Sequence, residues 1–373
     1  MAKSDNFLFV TLNSFSATGG IEKVCQSLSM VLHKYALSHE MNMRMVSMYD
    51  TPEQMKKNKY LPSAHCKGFS GKRLSFAIST FRFGINARFL ILSHLNLLPI
   101  AWLVKLFSPK TKIILLAHGI EIWLIPPGIK KRMIGMVDNM VCVSRYTAQK
   151  AMSVFNIPEH KISVINNALD PFLEIGNEGL KVPDLKKKYG INQSDYVLFT
   201  LTRLDSRERY KGYDHVIKAM YSLKDSYPNL KYVIGGSSDA VELDFVQSLI
   251  QKFNLTNSVI ITGFIDESEL AAHFLMSDLF IMPSNQEGFG ISFIEAMYFG
   301  LPVIGGNADG SVDALANGEL GTLVTPGDIE SIKQSIITAI NQKGKNIPDH
   351  DKLIRLFGFE TYQKKWENLL IQM

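Results

Sequence analysis

Short contiguous apolar runs, many of them rich in β-branched residues, alternate along this chain with longer stretches whose apolar positions recur every three to four residues. The first kind is the pattern of a strand buried on both faces, and the second is the stripe of a helix that covers it. In the first half, Phe7–Leu12, Met43–Ser47, Phe89–Leu95, Lys112–Ala117, Asn139–Val143 and Ile162–Ile165 predict strands. In the second half, Tyr196–Thr202, Lys231–Ile234, Ser258–Thr262, Leu279–Met282, Pro302–Ile304 and Thr322–Val324 do the same. Strands that alternate with helices throughout predict an α/β protein with two parallel sheets, each covered by helices on both faces.

The periodicity breaks between Ala168 and Asp195, where Asp170-Pro171, Gly176, Gly179 and Pro183 fall close together. A length of 373 residues also exceeds what one core usually supports. The expectation is a first domain over residues 1–175, a second over 176–350, and a terminal helix over 351–373. Leu356, Phe359, Trp366, Leu369 and Leu370 form the apolar face of that helix.

Phe89–Phe107 is nearly long enough to span a bilayer, but His94, Asn96, Pro99 and Lys105 interrupt it, and it divides into a strand and a buried helix, IAWLVKLF. The opening run, MAKSDNFLFVTL, has no cleavage region after it and is expected to be the first strand. Cys25, Cys66 and Cys142 are scattered and have neither metal-ligand spacing nor a disulfide framework, which fits the cytoplasm. Residues 1–175 hold 21 Lys and Arg against 10 Asp and Glu, a net of +11; the remainder hold 19 against 25, a net of −6. The asymmetry suggests different partners for the two domains. Lys56, Lys57, Lys59, Lys67, Lys72, Arg73, Arg82 and Arg88 interleave with Phe69, Phe76, Phe81 and Phe83, and Lys130, Lys131 and Arg132 follow Trp123-Leu-Ile-Pro-Pro. That mixture predicts a peripheral contact with an anionic inner-membrane face; the alternative is that the aromatics are core and the cations meet a soluble anionic acceptor or only solvent. No nucleic-acid partner is expected.

In doubly wound sheets, ligands bind beyond the carboxyl ends of the strands, so residues just after the predicted strands carry the chemistry. Gly19-Gly20-Ile21-Glu22-Lys23 follows the first strand and opens a helix, whose free N–H groups suit a phosphate or a sugar. It is neither a full dinucleotide fingerprint nor a P-loop, and a tight strand-to-helix turn would look the same. His118-Gly119 ends another strand. Arg203 and Lys211 follow Tyr196–Thr202 and offer a guanidinium and an ammonium to a diphosphate, with Arg207 and Arg209 competing for the role. The most informative stretch is Pro283-Ser-Asn-Gln-Glu287-Gly-Phe-Gly290-Ile-Ser-Phe-Ile-Glu295, which places Glu287 in a loop and Glu295 in the first turn of a helix starting near Ser292. A carboxylate accepts paired hydrogen bonds from a vicinal diol, so one acid suits a ribose and the other a hexose. The triplet Asp349-His350-Asp351 spells a metal-binding pattern of some sugar transferases, but it precedes the last helix and is expected to be solvated loop.

Taken in order, GGIEK, His118-Gly119, VCVSRYTAQ, VINNALD, TLTRL with YKGYD, VIGGSS, ITGFID, EGFGISFIEAM and GTLVTPGD resemble the retaining glycosyltransferases of family four, which have the GT-B architecture. The resemblance implies two Rossmann-like domains facing a cleft, with the terminal helix packing back towards the first domain. It implies that Arg203 and Lys211 hold the donor diphosphate, Glu295 the ribose hydroxyls, and the Ile265 backbone the base edge. Glu287, with the backbones of Gly288, Phe289 and Gly290, would contact the transferred hexose. His118 would reach that hexose from the first domain, and Gly20 the phosphate. It further implies front-face attack with retention, no side-chain nucleophile, no cofactor and no metal. Two departures stand out: the loop between Arg203 and Lys211 is slightly long, and Gly305-Gly306-Asn307-Ala308-Asp309-Gly310-Ser311 replaces a Gly-Gly-x-x-Glu pattern, so contacts there do not carry over.

The expected activity is transfer of a hexose from a nucleotide-diphosphate sugar, UDP-glucose or UDP-galactose favoured, to a saccharide or lipid-linked acceptor in polysaccharide or glycolipid assembly. A GDP-mannose-dependent transferase and a non-catalytic nucleotide-sugar sensor are the alternatives.

Overall fold

The computed structural model describes residues 6–16, 19–123, 129–174, 181–345 and 347–373. They fall into two compact units, one made of Met1–Pro171 with Phe357–Met373 and the other of Phe172–Leu356.

The first unit is built on strands β1 (Asn6–Thr11), β2 (Asn42–Ser47), β3 (Cys66–Gly68), β4 (Phe89–Leu92), β5 (Lys112–Ala117), β6 (Asn139–Cys142) and β7 (Ile162–Val164). Their order is β3-β2-β1-β4-β5-β6-β7, and every pairing is parallel. The interior positions of β1, β4 and β5 are buried at every residue, which is why these strands are continuous apolar runs. The chain leaves β1 for β2 on one side and later enters β4 on the other, so the connections diverge beyond the carboxyl ends of β1 and β4.

The second unit repeats the plan with β8 (Tyr196–Leu201), β9 (Leu230–Gly235), β10 (Val259–Gly263), β11 (Leu279–Met282), β12 (Val303–Gly306) and β13 (Thr322–Val324), in the order β10-β9-β8-β11-β12-β13 and again parallel. Its switch point lies between β8 and β11. Phe199 of β8 meets Phe280 of β11 edge-on at 5.9 Å, and Phe280 meets Phe293 of the helix Ile291–Tyr298 at 5.8 Å. Such pairs contribute about 0.5–1.5 kcal/mol each beyond burial, and here they fix the helix against the two strands that frame the switch point.

Several expectations need correction. β4 stops at Leu92, because His94 caps a short 3₁₀ turn by accepting a hydrogen bond from Asn96 N–H. The helix after it, Leu98–Phe107, is buried on one face only: Leu98, Ala101 and Val104 are buried, but Trp102, Leu103, Leu106 and Phe107 are exposed. Phe69 and Phe76 lie in the core of the first unit, and so cannot insert into a lipid surface. β3 has no counterpart among the predicted strands; it is a three-residue edge strand with one buried position. The terminal segment is two helices, His350–Phe357 and Phe359–Gln372, parted at Gly358, which has extended backbone. The first unit takes the second of them: Leu169 N–H donates to Phe357 O at 2.9 Å, and Trp366 and Leu370 are buried. His350 and Asp351 begin a helix rather than a loop, and Asp349 caps it by accepting from Lys352 N–H at 2.9 Å. Gly176, Gly179, residues 124–127 and the side chains of Lys130 and Lys131 lie outside the described residues. No helix among the described residues is long and apolar enough to cross a membrane.

Candidate donor-binding site

In the second unit the loops after β8 and β11 are stitched together by backbone contacts. Asn285 N–H donates to Tyr210 O at 3.0 Å, and Gly212, at φ +79°, lies so close to the other loop that a Cβ would stand 2.6 Å from Pro283 O. Only glycine satisfies both the left-handed backbone and the close approach. The result brings Lys211 onto Glu287: Nζ donates to Oε2, and each side chain is only 15% exposed. Burial opposes the charge on Lys211, but Glu287 beside it outweighs that effect and holds the lysine pKa above its ordinary value.

All four cations of this segment have carboxylate partners. Arg207 is paired with Asp205, and Arg209 with the buried Glu242 while also lying 3.9 Å over the Phe245 ring. Arg203 reaches Glu208 at 2.7 Å with its side chain 66% exposed, and Arg207 is more exposed still at 86%, so both could turn towards a ligand. Arg203 and Lys211 are thus on one loop, with only Lys211 in contact with Glu287.

Beneath Glu287 lies a residue that the sequence reading did not assign. Asp309, 2% exposed, accepts from Glu287 N–H at 2.6 Å and from Ser284 Oγ–H at 2.9 Å through Oδ2, and from Ser311 N–H at 2.9 Å through Oδ1. Burial pushes its pKa up to about 6, against the opposing pull of the Glu287 and Ser311 hydrogen bonds. Glycines let this support approach the loop: a Cβ on Gly306 would stand 1.8 Å from Ser284 O, and one on Gly310 would stand 2.1 Å from Gly288 O. Gly310 N–H also donates to Glu287 O at 2.9 Å.

The loop ends in Gly288, Phe289 and Gly290, all buried; the Phe289 side chain is 1% exposed. Gly290 precedes the helix Ile291–Tyr298 at φ +88°, with a Cβ position 2.4 Å from the Phe293 ring. Glu295 is the fifth residue of that helix, in its second turn rather than its first, and is 2% exposed. Its place in the helix interior rules out a simple dipole-balancing role at the N-terminus. Ile265 follows β10, with its Cδ1 packed where a Gly235 Cβ would lie, and the neighbouring Phe264 is 57% exposed.

In the first unit, Gly20 opens the helix Gly20–Ser38 after the N-cap Gly19, and a Cβ on it would meet nothing within 4 Å. The loop before it is strapped by Asp50, at the carboxyl end of β2, which accepts from the N–H groups of Ser14, Phe15 and Ser16 at 2.8, 3.1 and 2.8 Å. That nest of donors is therefore filled by the protein's own carboxylate. His118, after β5, donates from Nε2 to Ser93 O at 2.9 Å, which leaves Nδ1 as a buried acceptor with no partner among the described residues. Glu121 accepts from the His118 and Gly119 N–H groups and fixes the turn.

Two doubly wound parallel sheets, each with ligand-type loops at its switch point, define a GT-B architecture. Residues 181–354 match the family model described as glycosyl transferases group 1, so the second unit is a domain of that family. An uncharacterised glycosyltransferase of Methanocaldococcus jannaschii is 25% identical over 232 residues, which cover 62% of this chain and 57% of that protein. The GDP-mannose-dependent alpha-(1-6)-phosphatidylinositol monomannoside mannosyltransferase of Mycolicibacterium smegmatis is 27% identical over 236 residues, 60% of each chain. The chain thus spans about three fifths of the length of these two relatives. Among solved structures, Anabaena HepE in complex with UDP-glucose superposes with a TM-score of 0.77 at 17% identity, over 99% of this chain and 100% of that one, a likeness of fold.

Proposed function

We propose that the protein is a retaining glycosyltransferase. It moves a hexose from a nucleoside diphosphate sugar, UDP-glucose or UDP-galactose by preference, to a hydroxyl of a saccharide or lipid-linked acceptor in polysaccharide or glycolipid assembly, at the cytoplasmic side. The observation that carries the reading is the Lys211–Glu287 pair, set in glycine-lined loops at the switch point between β8 and β11. An ammonium kept charged by a neighbouring carboxylate is suited to a leaving diphosphate, whose negative charge grows as the glycosidic bond breaks.

In this mechanism the anomeric carbon loses its bond to the diphosphate oxygen and gains one to the acceptor oxygen on the same face. The acceptor proton passes to the leaving phosphate. Lys211 and the exposed Arg203 hold the diphosphate, and Glu287, seated by Asp309, orients the hexose with the Gly288–Gly290 backbone. Glu295 takes the ribose hydroxyls, and the Ile265 backbone takes the base edge, with Phe264 beside it as a stacking surface. Gly20 and His118 are what the first unit offers to the phosphate and the hexose. The two cations replace a metal, so transfer persists in EDTA; loss of activity that a divalent ion restores refutes this. A peripheral contact of the basic first unit with an anionic membrane would bring the enzyme to a lipid-linked acceptor.

A GDP-mannose donor is the second reading, favoured by the name of the mycobacterial relative. Incubation with a panel of nucleotide sugars, followed by measurement of released nucleoside diphosphate and of the anomeric configuration of the product, tests both. Release from UDP-hexoses with retention is expected. Binding without release under every acceptor offered points instead to a sensor.

A further inference from the structure

Sixteen large apolar side chains are exposed among the described residues, and six of them, Leu74, Ile78, Trp102, Leu103, Leu106 and Phe107, stand on two packed helices of the first unit, Arg73–Gly84 and Leu98–Phe107. The other ten are spread over the rest of both units, as single exposed apolar residues normally are. Leu74, Ile78 and the half-buried Phe81 follow one another by about a turn and share a stripe. Phe81 meets Phe107 edge-on with ring centroids 5.4 Å apart, which joins that stripe to the second helix, yet Phe107 remains 69% exposed. A contiguous apolar surface of this kind marks an interaction site.

The charge around it selects the partner. From Gln54 to Ile120 the chain has eleven Lys and Arg and no Asp or Glu. Lys72 and Arg73 at the head of the first helix, Arg82 in its last turn, and Lys110 just past the second helix are exposed. None of the four pairs with a carboxylate among the described residues. Lys105, between them, is neutralised by Asp138 at 2.7 Å. A second copy of the chain that met this one through the same surface would set Lys72, Arg73, Arg82 and Lys110 against their own counterparts, cation to cation. A bilayer with anionic headgroups meets both requirements, with phosphates for the cations and the acyl boundary for the Trp, Phe and Leu side chains.

We propose that the face formed by Arg73–Gly84 and Leu98–Phe107 docks on an anionic lipid surface, through exposed apolar residues that insert shallowly and the cations that flank them. Its role rests on the glycosyltransferase reading, since docking would hold the enzyme at a lipid-linked acceptor; the docking itself does not. The residues differ from those the sequence pattern suggested, because Phe69 and Phe76 are core.

The test is sedimentation of the full chain with vesicles of phosphatidylcholine alone, or of phosphatidylcholine and phosphatidylglycerol in equal parts, at low and high salt. Binding to the anionic vesicles only, weakened by salt, is expected. Each cation near the surface multiplies partitioning about fivefold, so Lys72→Gln, Arg73→Gln and Lys110→Gln together lower it about 100-fold. Leu106→Ser with Phe107→Ser, at exposed positions that folding tolerates, removes the salt-resistant part. Absence of binding to the anionic vesicles at low salt, or triple-variant binding equal to wild type, overturns the proposal. So does an oligomer that the Leu106→Ser, Phe107→Ser variant dissolves while vesicle binding stays unchanged. Calorimetric titration with UDP and GDP runs alongside. Lost vesicle binding with intact nucleotide binding removes the docking face alone, and the converse removes the transferase reading alone.

Discussion

Gly310→Ala isolates the support beneath the Glu287 loop. Gly310 has φ −65° and ψ −10°, a helical backbone that alanine adopts freely, so the substitution brings no conformational strain of its own. The added Cβ stands 2.1 Å from Gly288 O, 2.4 Å from Gly288 C and 2.8 Å from Glu287 O, all backbone atoms. Ordinary contact begins near 3.4 Å, so the loop must move by about 1.3 Å at Gly288. Overpacking of this kind costs about 1–3 kcal/mol of stability, or a melting shift of about 2–4 °C per kcal/mol for a domain of this size. A displacement of about 1 Å at a positioning residue costs about 100-fold in turnover, equivalent to about 2.7 kcal/mol of transition-state stabilisation. The assay compares kcat/KM for nucleoside diphosphate release with that of Gly135→Ala, where a Cβ meets nothing within 4 Å. A folded Gly310→Ala protein that keeps kcat/KM within about twofold of wild type would show that the loop position does not set the reaction.

Three further outcomes are expected. Asp309 has a folded pKa of about 6 against an ordinary 3.8, so the folded state keeps a proton that the unfolded chain has released between those values. The stability tied to that proton is full below about pH 4 and is lost as pH rises through 6, a change of about 3 kcal/mol; Asp309→Asn should flatten this slope in urea titrations, and an unaltered slope refutes the assignment. Glu287→Ala leaves the Lys211 ammonium buried without its partner and should cost about 3–5 kcal/mol in stability, together with most of the turnover. Lys211→Met with Glu287→Gln should regain stability but not turnover, and failure to regain any would show that the pair is not the coupled unit. Glu295→Ala should weaken donor binding about 10- to 100-fold by titration, through loss of hydrogen bonds to a charged acceptor; unchanged affinity rules out the ribose role.

The strands at the centre of each sheet were legible in the sequence because burial on both faces leaves no room for polar residues, as in LFV of β1 and IILLA of β5. β3 was not, since an edge strand of three residues with one buried position carries no such signal. The terminal helices were read as one because their apolar residues keep helical spacing across Gly358, where only the backbone shows the break. Lys211, Glu287 and Glu295 stood out in the sequence because they lie in the loops and the helix that follow β8 and β11, on the side where topology places ligands. Asp309 and Asp50 were missed because what they do is long range: Asp309 acts on a loop 22 residues before it, and Asp50 on one 34 to 36 residues before it. An isolated Asp in a Gly-rich segment gives no sign of which N–H groups it will meet. Phe264 was overlooked for a different reason, since an aromatic next to a strand end is usually core and only the folded chain reveals its exposure.

The central claim is that the switch point of the second unit binds the donor's diphosphate on Lys211 and Arg203. A structure determined with UDP or GDP bound tests it most directly. The diphosphate should lie within hydrogen-bond distance of Lys211 Nζ and the turned Arg203 guanidinium, with the ribose hydroxyls on Glu295 and the base against Ile265. A nucleotide seated away from the carboxyl ends of β8 and β11, with the Lys211–Glu287 pair untouched, would contradict the account.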